Sequence, residues 1–215
     1  MKECFKFVRD FLGTIFYKKA DITTFCSKRD AGIDGSNNSK TLIFAPKQIP
    51  FHKPLDLGER YVFVGPSDYY PNRAAYEYLI FLAKLNYFKK VKLHVYGLSS
   101  NYTEEHADVF LHGVCPDREV YGRRDTHLVP IWSGAGIKYK TLLPLSLGIR
   151  VLSTVEGANG MLTSPLLLIC KTHGDFQNAL ETDYPPLNVV NQQGNILEFD
   201  QRNDIQKMIL ESFDK

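Results

Sequence analysis

The sequence lacks a strong excess of either charge. Its 215 residues include 26 lysines and arginines against 24 aspartates and glutamates, which gives a formal net charge of +2. Domains that hold nucleic acids by bulk charge are usually strongly basic. The charge balance therefore disfavours that class, and we expect no nucleic-acid partner.

Cysteine is scarce as well. The four cysteines, at positions 4, 26, 115 and 170, form no Cys-x-x-Cys pair and have no histidines at the spacing of metal ligands. This pattern excludes a disulfide scaffold and a zinc site, and it is typical of a reducing compartment. No apolar run approaches the roughly 20 residues that span a bilayer, and the charges within Met1–Asp10 disfavour a signal peptide. We expect a cytoplasmic protein.

The composition itself is that of a globular domain with a full core, with 44% hydrophobic and 23% charged residues. Apolar residues recur at helical spacing in Phe5–Ala20, which predicts an amphipathic helix. That helix packs on its own domain or, in the alternative interpretation, lies peripherally on a membrane surface. Gly32–Ser39 has the composition of a loop or linker. We therefore predict an N-terminal helix, first strand and linker in residues 1–40, and the main domain in residues 41–215.

Strands alternate with helices along the chain. Apolar runs predict strands at Ile22–Phe25, Thr41–Ala45, Tyr61–Val64, Val91–Tyr96, Val109–Leu111, Leu128–Ile131, Arg150–Thr154 and Leu166–Ile169. Helical spacing predicts helices at Asn72–Leu85, Lys138–Leu147, Asp175–Leu180 and Asn203–Phe213. Strands rich in Val, Leu and Ile that are separated by helices are typical of βαβ units. The predicted fold class is α/β, a Rossmann-like three-layer sandwich with a mostly parallel sheet.

Glycine-containing turns follow three of the predicted strands, at Gly65–Asn72, Trp132–Lys140 and Val155–Gly160. In an open parallel sheet, ligands bind outside the carboxyl ends of the strands. Glycines let a ligand approach backbone N–H groups, and Lys138 and Lys140 add positive charge for an anion such as a phosphate. In the alternative interpretation, the glycines only permit tight turns and both lysines are solvated.

A dinucleotide site is a second interpretation of the same turn. Gly134 and Gly136 match the first two glycines of a Gly-x-Gly-x-x-Gly motif, and Glu156 follows roughly 20 residues later, where such sites carry an acid. However, Tyr139 occupies the position of the third glycine, and the turn lies late in the chain. These differences disfavour a nicotinamide cofactor.

Five elements in one order resemble a known family. They are Phe63–Asn72, Leu93–Gly97, Leu111–Cys115, Pro130–Lys140 and Thr154–Gly160. The first has a strand, a glycine and a Tyr-x-Pro-Asn-like element that opens a helix, and the fourth contains Gly-Ala-Gly-Ile-Lys-x-Lys. In their order and spacing these elements are similar to the C-terminal, donor-binding domain of GT-B glycosyltransferases of the group-1, family 4 class. The chain thus resembles a single GT-B half.

The resemblance implies a nucleotide-diphosphate sugar donor, a glycan or other hydroxyl acceptor, a role in glycan or polysaccharide synthesis, and no metal or other cofactor. It also implies an N-terminal GT-B domain or a partner subunit that carries the acceptor and usually the catalytic base. Lys138, Lys140 and the amides of Gly134–Ile137 are then expected at the leaving diphosphate. The full set of expected donor-binding residues is Gly65, Tyr70, Asn72, Gly97, Gly113, Gly134, Ala135, Gly136, Ile137, Lys138, Lys140, Glu156 and Gly157.

Three positions depart from the family pattern. Leu143 stands where the family has the glutamate that binds the donor ribose, Ser133 replaces an earlier acidic residue, and Asn159 replaces a common glutamate. The ribose is then held by another group, such as Glu156, or donor affinity is lower. A catalytically silent nucleotide-binding or interaction module of the same fold is therefore the alternative function.

The sequence assigns no catalytic residue. Six histidines are present, at positions 52, 94, 106, 112, 127 and 173, and a lone histidine near a strand is more often structural than catalytic. Asp68 is the acid in the first glycine-containing turn, where it serves equally well as a turn or capping residue.

Overall fold

The structure of the chain is a computed structural model that describes residues 23–25, 39–41, 57–66, 68–98, 106–161 and 164–182. The chain divides into two compact units. One contains a two-stranded parallel sheet, formed by β1 (Thr23–Phe25) and β2 (Ser39–Thr41). The other contains a six-stranded sheet. The predicted division at residue 40 stays a prediction.

The larger unit alternates strands and helices. Its elements are β3 (Tyr61–Val64), α1 (Tyr70–Lys84), β4 (Leu93–Tyr96), β5 (Val109–Leu111), α2 (Asp117–Val120), β6 (Thr126–Val129), α3 (Tyr139–Ser146), β7 (Arg150–Thr154), β8 (Leu167–Cys170) and α4 (His173–Glu181). All strand pairs are parallel, in the order β5-β4-β3-β6-β7-β8. From β3 the strands run outward in one direction, and from β6 in the other, as in a Rossmann fold. The predicted Rossmann-like α/β fold is therefore confirmed.

Helices cover both faces of this sheet. Val62 and Phe63 are consecutive residues of β3, so their side chains point to opposite faces. Phe63 belongs to a buried cluster that includes Leu79 of α1 and Phe176 of α4. Val62 belongs to a second cluster that includes Leu143 of α3. Burial on both faces is why these strands read as nearly continuous apolar runs in the sequence.

The strand β6 differs most from its predicted bounds within the large sheet. It begins at Thr126 and ends at Val129, two residues before the predicted Leu128–Ile131. Thr126 and His127 are polar yet buried, so the apolar pattern does not include them. Pro130 follows the strand and has no N–H to donate to the sheet.

Several predicted elements fall outside the described residues. These are the helices at Phe5–Ala20 and Asn203–Phe213, residues 42–45 of the strand predicted at Thr41–Ala45, and residues 32–38 of the predicted linker. The short helix α2 has only four residues, too few for a helical period to show in the sequence. None of the helices that the structure describes combines the length and the apolarity needed to cross a bilayer.

Candidate functional site

A cavity of about 340 Å³ lies at the carboxyl ends of β3 and β6. These are the two central strands from which the chain runs outward in opposite directions. Ligands of open α/β sheets bind in the crevice at such a reversal point. The cavity brings together six of the residues expected from the sequence: Gly65, Asn72, Ala135, Ile137, Lys138 and Lys140.

Gly65 allows the two turns that form the cavity to meet. A Cβ at this position would lie 2.6 Å from Lys140 Nζ and 2.8 Å from Asn72 Cγ, which is closer than real Cβ contacts. Asn72 is 3% exposed, and its Oδ1 accepts a hydrogen bond from Lys140 Nζ. Its Nδ2 donates to the Pro66 carbonyl at 2.9 Å. The missing side chain of Gly65 therefore makes room for a hydrogen bond between the first turn of α1 and the start of α3.

Lys140 is a partly buried cation that has no carboxylate partner among the residues that the structure describes. Its Nζ lies 4.9 Å from the centroid of the Phe63 ring. Burial, helped by the positive charge of Lys138, lowers the pKa of Lys140 to about 8. Within the described residues, its ammonium has one hydrogen-bond acceptor, the neutral Asn72 amide, and no ion pair. Two of its N–H groups therefore remain for an anion in the cavity.

Lys138 has a different environment from Lys140. Its side chain is buried, and its Nζ donates to the carbonyls of Ala135 at 3.1 Å and Gly136 at 3.0 Å. It also contacts Glu156 Oε1 at 3.3 Å. These contacts use its three N–H groups, and Glu156 offsets its charge. Lys138 therefore holds the Gly-Ala-Gly turn in shape, and Lys140 is the lysine with donors to spare.

Two helices begin at the cavity without side-chain caps. Tyr69 precedes α1 and Lys138 precedes α3; neither side chain caps its helix, and neither first turn contains an acid. Along Gly134–Lys140, no backbone N–H has an acceptor among the described residues. The start of α4 is different, because Thr172 and Asp175 form a complete capping box there. Unpaired N–H groups and the helix dipole favour an anion, so the uncapped start of α3 reinforces Lys140. The start of α1 contributes mainly its dipole, because Pro71 has no N–H and the Asn72 and Arg73 N–H groups donate to the Tyr69 carbonyl.

The turn after β7 supports the site from outside the lining. A Cβ on Gly157 would lie 2.7 Å from the Val129 carbonyl, so this position has no room for a side chain. The Gly157 carbonyl accepts a hydrogen bond from Thr141 Oγ1 of α3 at 2.7 Å. Glu156 holds Lys138 in the same way. The sequence predicts that both residues bind the donor. In the structure they lie outside the cavity lining and accept hydrogen bonds from residues at the start of α3.

The remaining expected residues also lie outside the lining. Tyr70 is 70% exposed. Gly97 follows β4 and Gly113 lies two residues after β5, and the N–H of Gly97 donates to the Gly113 carbonyl at 2.6 Å. Gly134 and Gly136 form the turn itself, and both have positive φ, at 139° and 71°, which favours glycine. Asp68 is exposed and does not line the cavity either.

Six lining residues were missed by sequence reasoning: Val64, Pro66, Tyr69, Tyr121, Ile131 and Tyr139. Tyr69 is adjacent to the expected Tyr70, and Tyr139 occupies the position where a Gly-x-Gly-x-x-Gly motif would have its third glycine. The apolar run ending at Ile131 and the glycine turn after Val64 already pointed to this edge. Tyr121 has no such signal, because it reaches the cavity only through the tertiary structure.

None of the described histidines lines the cavity, and His94 and His127 stack on other rings instead. His127 is 1% exposed and stacks on Tyr121 with ring centroids 5.1 Å apart; burial lowers its pKa to about 3. His94 Nδ1 and His112 Nε2 lie 2.9 Å apart, and burial lowers the pKa of His94 to about 4. In the part of the chain that the structure describes, no group of three His, Cys, Asp or Glu side chains could hold a metal ion.

No protein-family model matches the chain, and no curated protein matches it either. The resemblance to the donor-binding half of GT-B glycosyltransferases therefore stays a prediction. The described residues themselves form a Rossmann-like sheet with a cationic cavity, rich in unpaired N–H groups, at its reversal point.

Proposed function

We propose that the larger unit binds the diphosphate of a nucleotide-diphosphate sugar and serves as the donor-binding half of a GT-B-type glycosyltransferase. The observation that carries this proposal is Lys140, a partly buried ammonium with no carboxylate partner among the described residues, beside two uncapped helix starts. The sugar is transferred to a hydroxyl acceptor, in glycan or polysaccharide synthesis.

The chemistry of sugar transfer explains why such a site is useful. As the bond between the anomeric carbon and the diphosphate oxygen breaks, negative charge builds on the departing diphosphate. Lys140 and the N–H groups of Gly134–Lys140 are fixed donors that stabilise this charge in the cavity. A hydroxyl acceptor must also lose a proton, and no described histidine lines the cavity to take it. The proposal therefore includes a second domain or partner subunit that supplies the acceptor and the base.

Calorimetry of the full chain tests the proposal. UDP, GDP, dTDP and NAD are titrated separately, and at least one nucleoside diphosphate is expected to bind at submillimolar concentration while NAD does not. Absence of heat with every nucleoside diphosphate at millimolar concentration contradicts the proposal.

Two lysine variants locate the diphosphate. Lys140→Ala is expected to weaken nucleoside diphosphate binding roughly 10- to 100-fold, because a hydrogen bond to a charged group contributes about 1.5–3 kcal/mol. The matched control is Lys171→Ala, which removes an exposed lysine next to the capped start of α4. An equal loss in both variants would place the diphosphate elsewhere, as would an equal loss of nucleoside and nucleoside diphosphate binding in Lys140→Ala.

A catalytically silent module is the second candidate function. It is favoured by Leu143, which is buried at 5% exposure in an apolar cluster, and by Glu156, which already holds Lys138. Neither residue is then free to bind a donor ribose. A silent module binds nucleotide-diphosphate sugars but leaves them intact, whereas a donor-binding half slowly hydrolyses its own donor, with water as acceptor, to the free sugar and the nucleoside diphosphate. ³¹P NMR of a panel of UDP-, GDP- and dTDP-sugars over several days distinguishes the two.

A further inference from the structure

The lining of the cavity divides into one polar cluster and a larger apolar part. Asn72 and Lys140 are hydrogen-bonded to each other, and the Asn72 amide also donates to the Pro66 carbonyl, so the Lys140 ammonium is the charged group of this cluster. The other lining side chains are mostly aliphatic, or are the rings of Tyr69, Tyr121 and Tyr139. The cavity therefore fits a ligand with a charged group at one point and an apolar or planar group beside it.

The described lining contains no carboxylate. In open α/β sheets, an acidic side chain commonly accepts hydrogen bonds from the ribose hydroxyls of a nucleotide. Glu156, the acid that contacts the Gly-Ala-Gly turn through Lys138, is 13% exposed at its side chain and engaged by that lysine. Leu143 of α3 packs with Val62 and Ile149 in the second buried cluster and offers no polar atom. A ribose in this cavity would lose its bonds to water and gain no charged acceptor from these residues.

From these two observations we infer that the cavity recognises a diphosphate ester through its phosphates and an adjoining apolar or aromatic group, and that it does not recognise ribose. This inference rests on the diphosphate site of the proposed function and widens its ligand class. Nucleoside diphosphates and isoprenoid diphosphates share the required chemistry, since both carry a diphosphate on an organic group that an apolar wall can contact.

Four ligands distinguish the sources of the diphosphate by calorimetry on the full chain: UDP, 2′-deoxy-UDP, geranyl diphosphate and inorganic pyrophosphate. We expect UDP and 2′-deoxy-UDP to have dissociation constants within twofold of each other. We expect geranyl diphosphate to bind at least as tightly as UDP and more tightly than pyrophosphate.

Two results overturn the inference while leaving the proposed function in place. One is a loss of about tenfold or more on removing the 2′-hydroxyl, which is the effect of a bond to a charged acceptor. The other is geranyl diphosphate binding no better than pyrophosphate. If none of the four ligands binds, the inference fails, and the proposed function fails with it when GDP and dTDP also give no heat.

A pair of tyrosine variants tests the apolar wall. Tyr139 lines the cavity and is 49% exposed, whereas Tyr70 is 70% exposed and lies outside the lining, so both can be changed with little effect on the core. Tyr139→Ser is expected to weaken geranyl diphosphate about tenfold and pyrophosphate less than twofold. Tyr70→Ser is expected to change neither. An unchanged geranyl diphosphate affinity in Tyr139→Ser, or an equal loss for pyrophosphate, overturns the inference.

Discussion

Two cations at opposite ends of the strand β3 have opposite surroundings. Arg60 precedes the strand, is 8% exposed, and donates through Nε and Nη2 to both carboxylate oxygens of Asp125, at 2.9 and 2.6 Å. Its Nη1 donates to the Tyr96 hydroxyl, and Asp125 also accepts from the Gly122 N–H. Lys140, at the carboxyl end, has only the neutral Asn72 amide among the described residues.

The difference separates a structural group from a binding group. A buried ion pair contributes to the folded structure only when its charges are matched and its remaining hydrogen bonds are made, as they are around Arg60. An ammonium that is buried without an opposite charge is unfavourable in the free protein, and this lowers the pKa of Lys140. Such a group becomes favourable when an anion arrives, which is the behaviour expected of a binding site.

The largest effect is predicted for a substitution that removes the charge partner of Arg60. Asp125→Asn leaves the guanidinium of Arg60 buried without its charge partner, which is expected to cost about 3–5 kcal/mol of unfolding free energy. Urea unfolding measures the loss. Below the unfolding transition, diphosphate affinity should stay within twofold of wild type, and a parallel loss of affinity would show that the two ends of the strand are not independent.

Adding a side chain at Gly65 breaks the binding end. The Cβ of Gly65→Val would displace Lys140 Nζ and the Asn72 amide, so the variant is expected to lose about 1–3 kcal/mol of stability. Diphosphate affinity is expected to fall at least tenfold, since a charge-assisted hydrogen bond contributes about 1.5–3 kcal/mol. Gly174→Ala in α4 is the matched control, because its Cβ meets only Thr172 Oγ1 at 3.7 Å. Wild-type affinity in Gly65→Val, measured by calorimetry, would place the anion elsewhere.

The pH profile of binding distinguishes the two cations, because the pKa of Lys140 is lowered toward neutrality whereas the pKa of Arg60 is raised. The pKa of Lys140 is lowered to about 8 in the free protein, so its proton is lost as the pH rises through that value. Diphosphate affinity is expected to be nearly constant from pH 7 to 7.5 and to fall above pH 8, approaching about tenfold per unit. Lys140→Arg, whose guanidinium stays charged, should flatten the profile. An equally steep fall in Lys140→Arg would assign the titration to another group.

Substitutions at the capped start of α4 and the uncapped start of α1 are expected to have smaller effects on stability and binding. Thr172→Ala removes the cap of α4 and is expected to cost about 1 kcal/mol of stability without changing diphosphate affinity. Tyr69→Asp introduces a capping carboxylate at the uncapped start of α1, where it competes with the ligand. Tyr69→Asp is therefore expected to weaken diphosphate binding several-fold without loss of stability, as measured by calorimetry and urea unfolding. Unchanged binding in Tyr69→Asp would remove the start of α1 from the site.

The smallest effect is expected for the stability of Lys140→Met. Methionine keeps apolar contact with Phe63 and removes the desolvated ammonium, while the Asn72 oxygen loses one hydrogen bond. These changes oppose each other, so the free energy of unfolding should change by less than about 1 kcal/mol. A loss of several kcal/mol in urea unfolding would mean that Lys140 supports the fold as Arg60 does.

The fold was largely predictable because its signals are local. Buried parallel strands read as apolar runs, as at Tyr61–Val64 and Arg150–Thr154, and both were placed at their observed bounds. The edge of the sheet that carries the cavity was also predictable, because Gly65 directly follows β3 and the Gly-Ala-Gly turn lies between β6 and α3. Polar residues inside a strand, such as His127, interrupt the apolar pattern, so the predicted bounds of β6 lie two residues too late.

The roles of individual site residues depend on distant neighbours and could not be read from the sequence. Lys138 and Lys140 follow the same turn and look equivalent there. Only the folded chain brings Glu156 to one of them, and Asn72, 68 residues away in sequence, to the other. The place of Tyr121 in the cavity lining also depends on distant residues, since the tertiary structure brings it to the cavity.

Backbone amide shifts test the central claim most directly. Pyrophosphate is titrated into the full ¹⁵N-labelled chain, and ¹H–¹⁵N spectra compare the uncapped and capped helix starts. We predict saturable shift changes at Gly65 and along Gly134–Lys140, and none at the Thr172–Asp175 capping box. No saturable change along Gly134–Lys140, or equal changes at Thr172–Asp175, would contradict an anion site at the reversal point of the sheet.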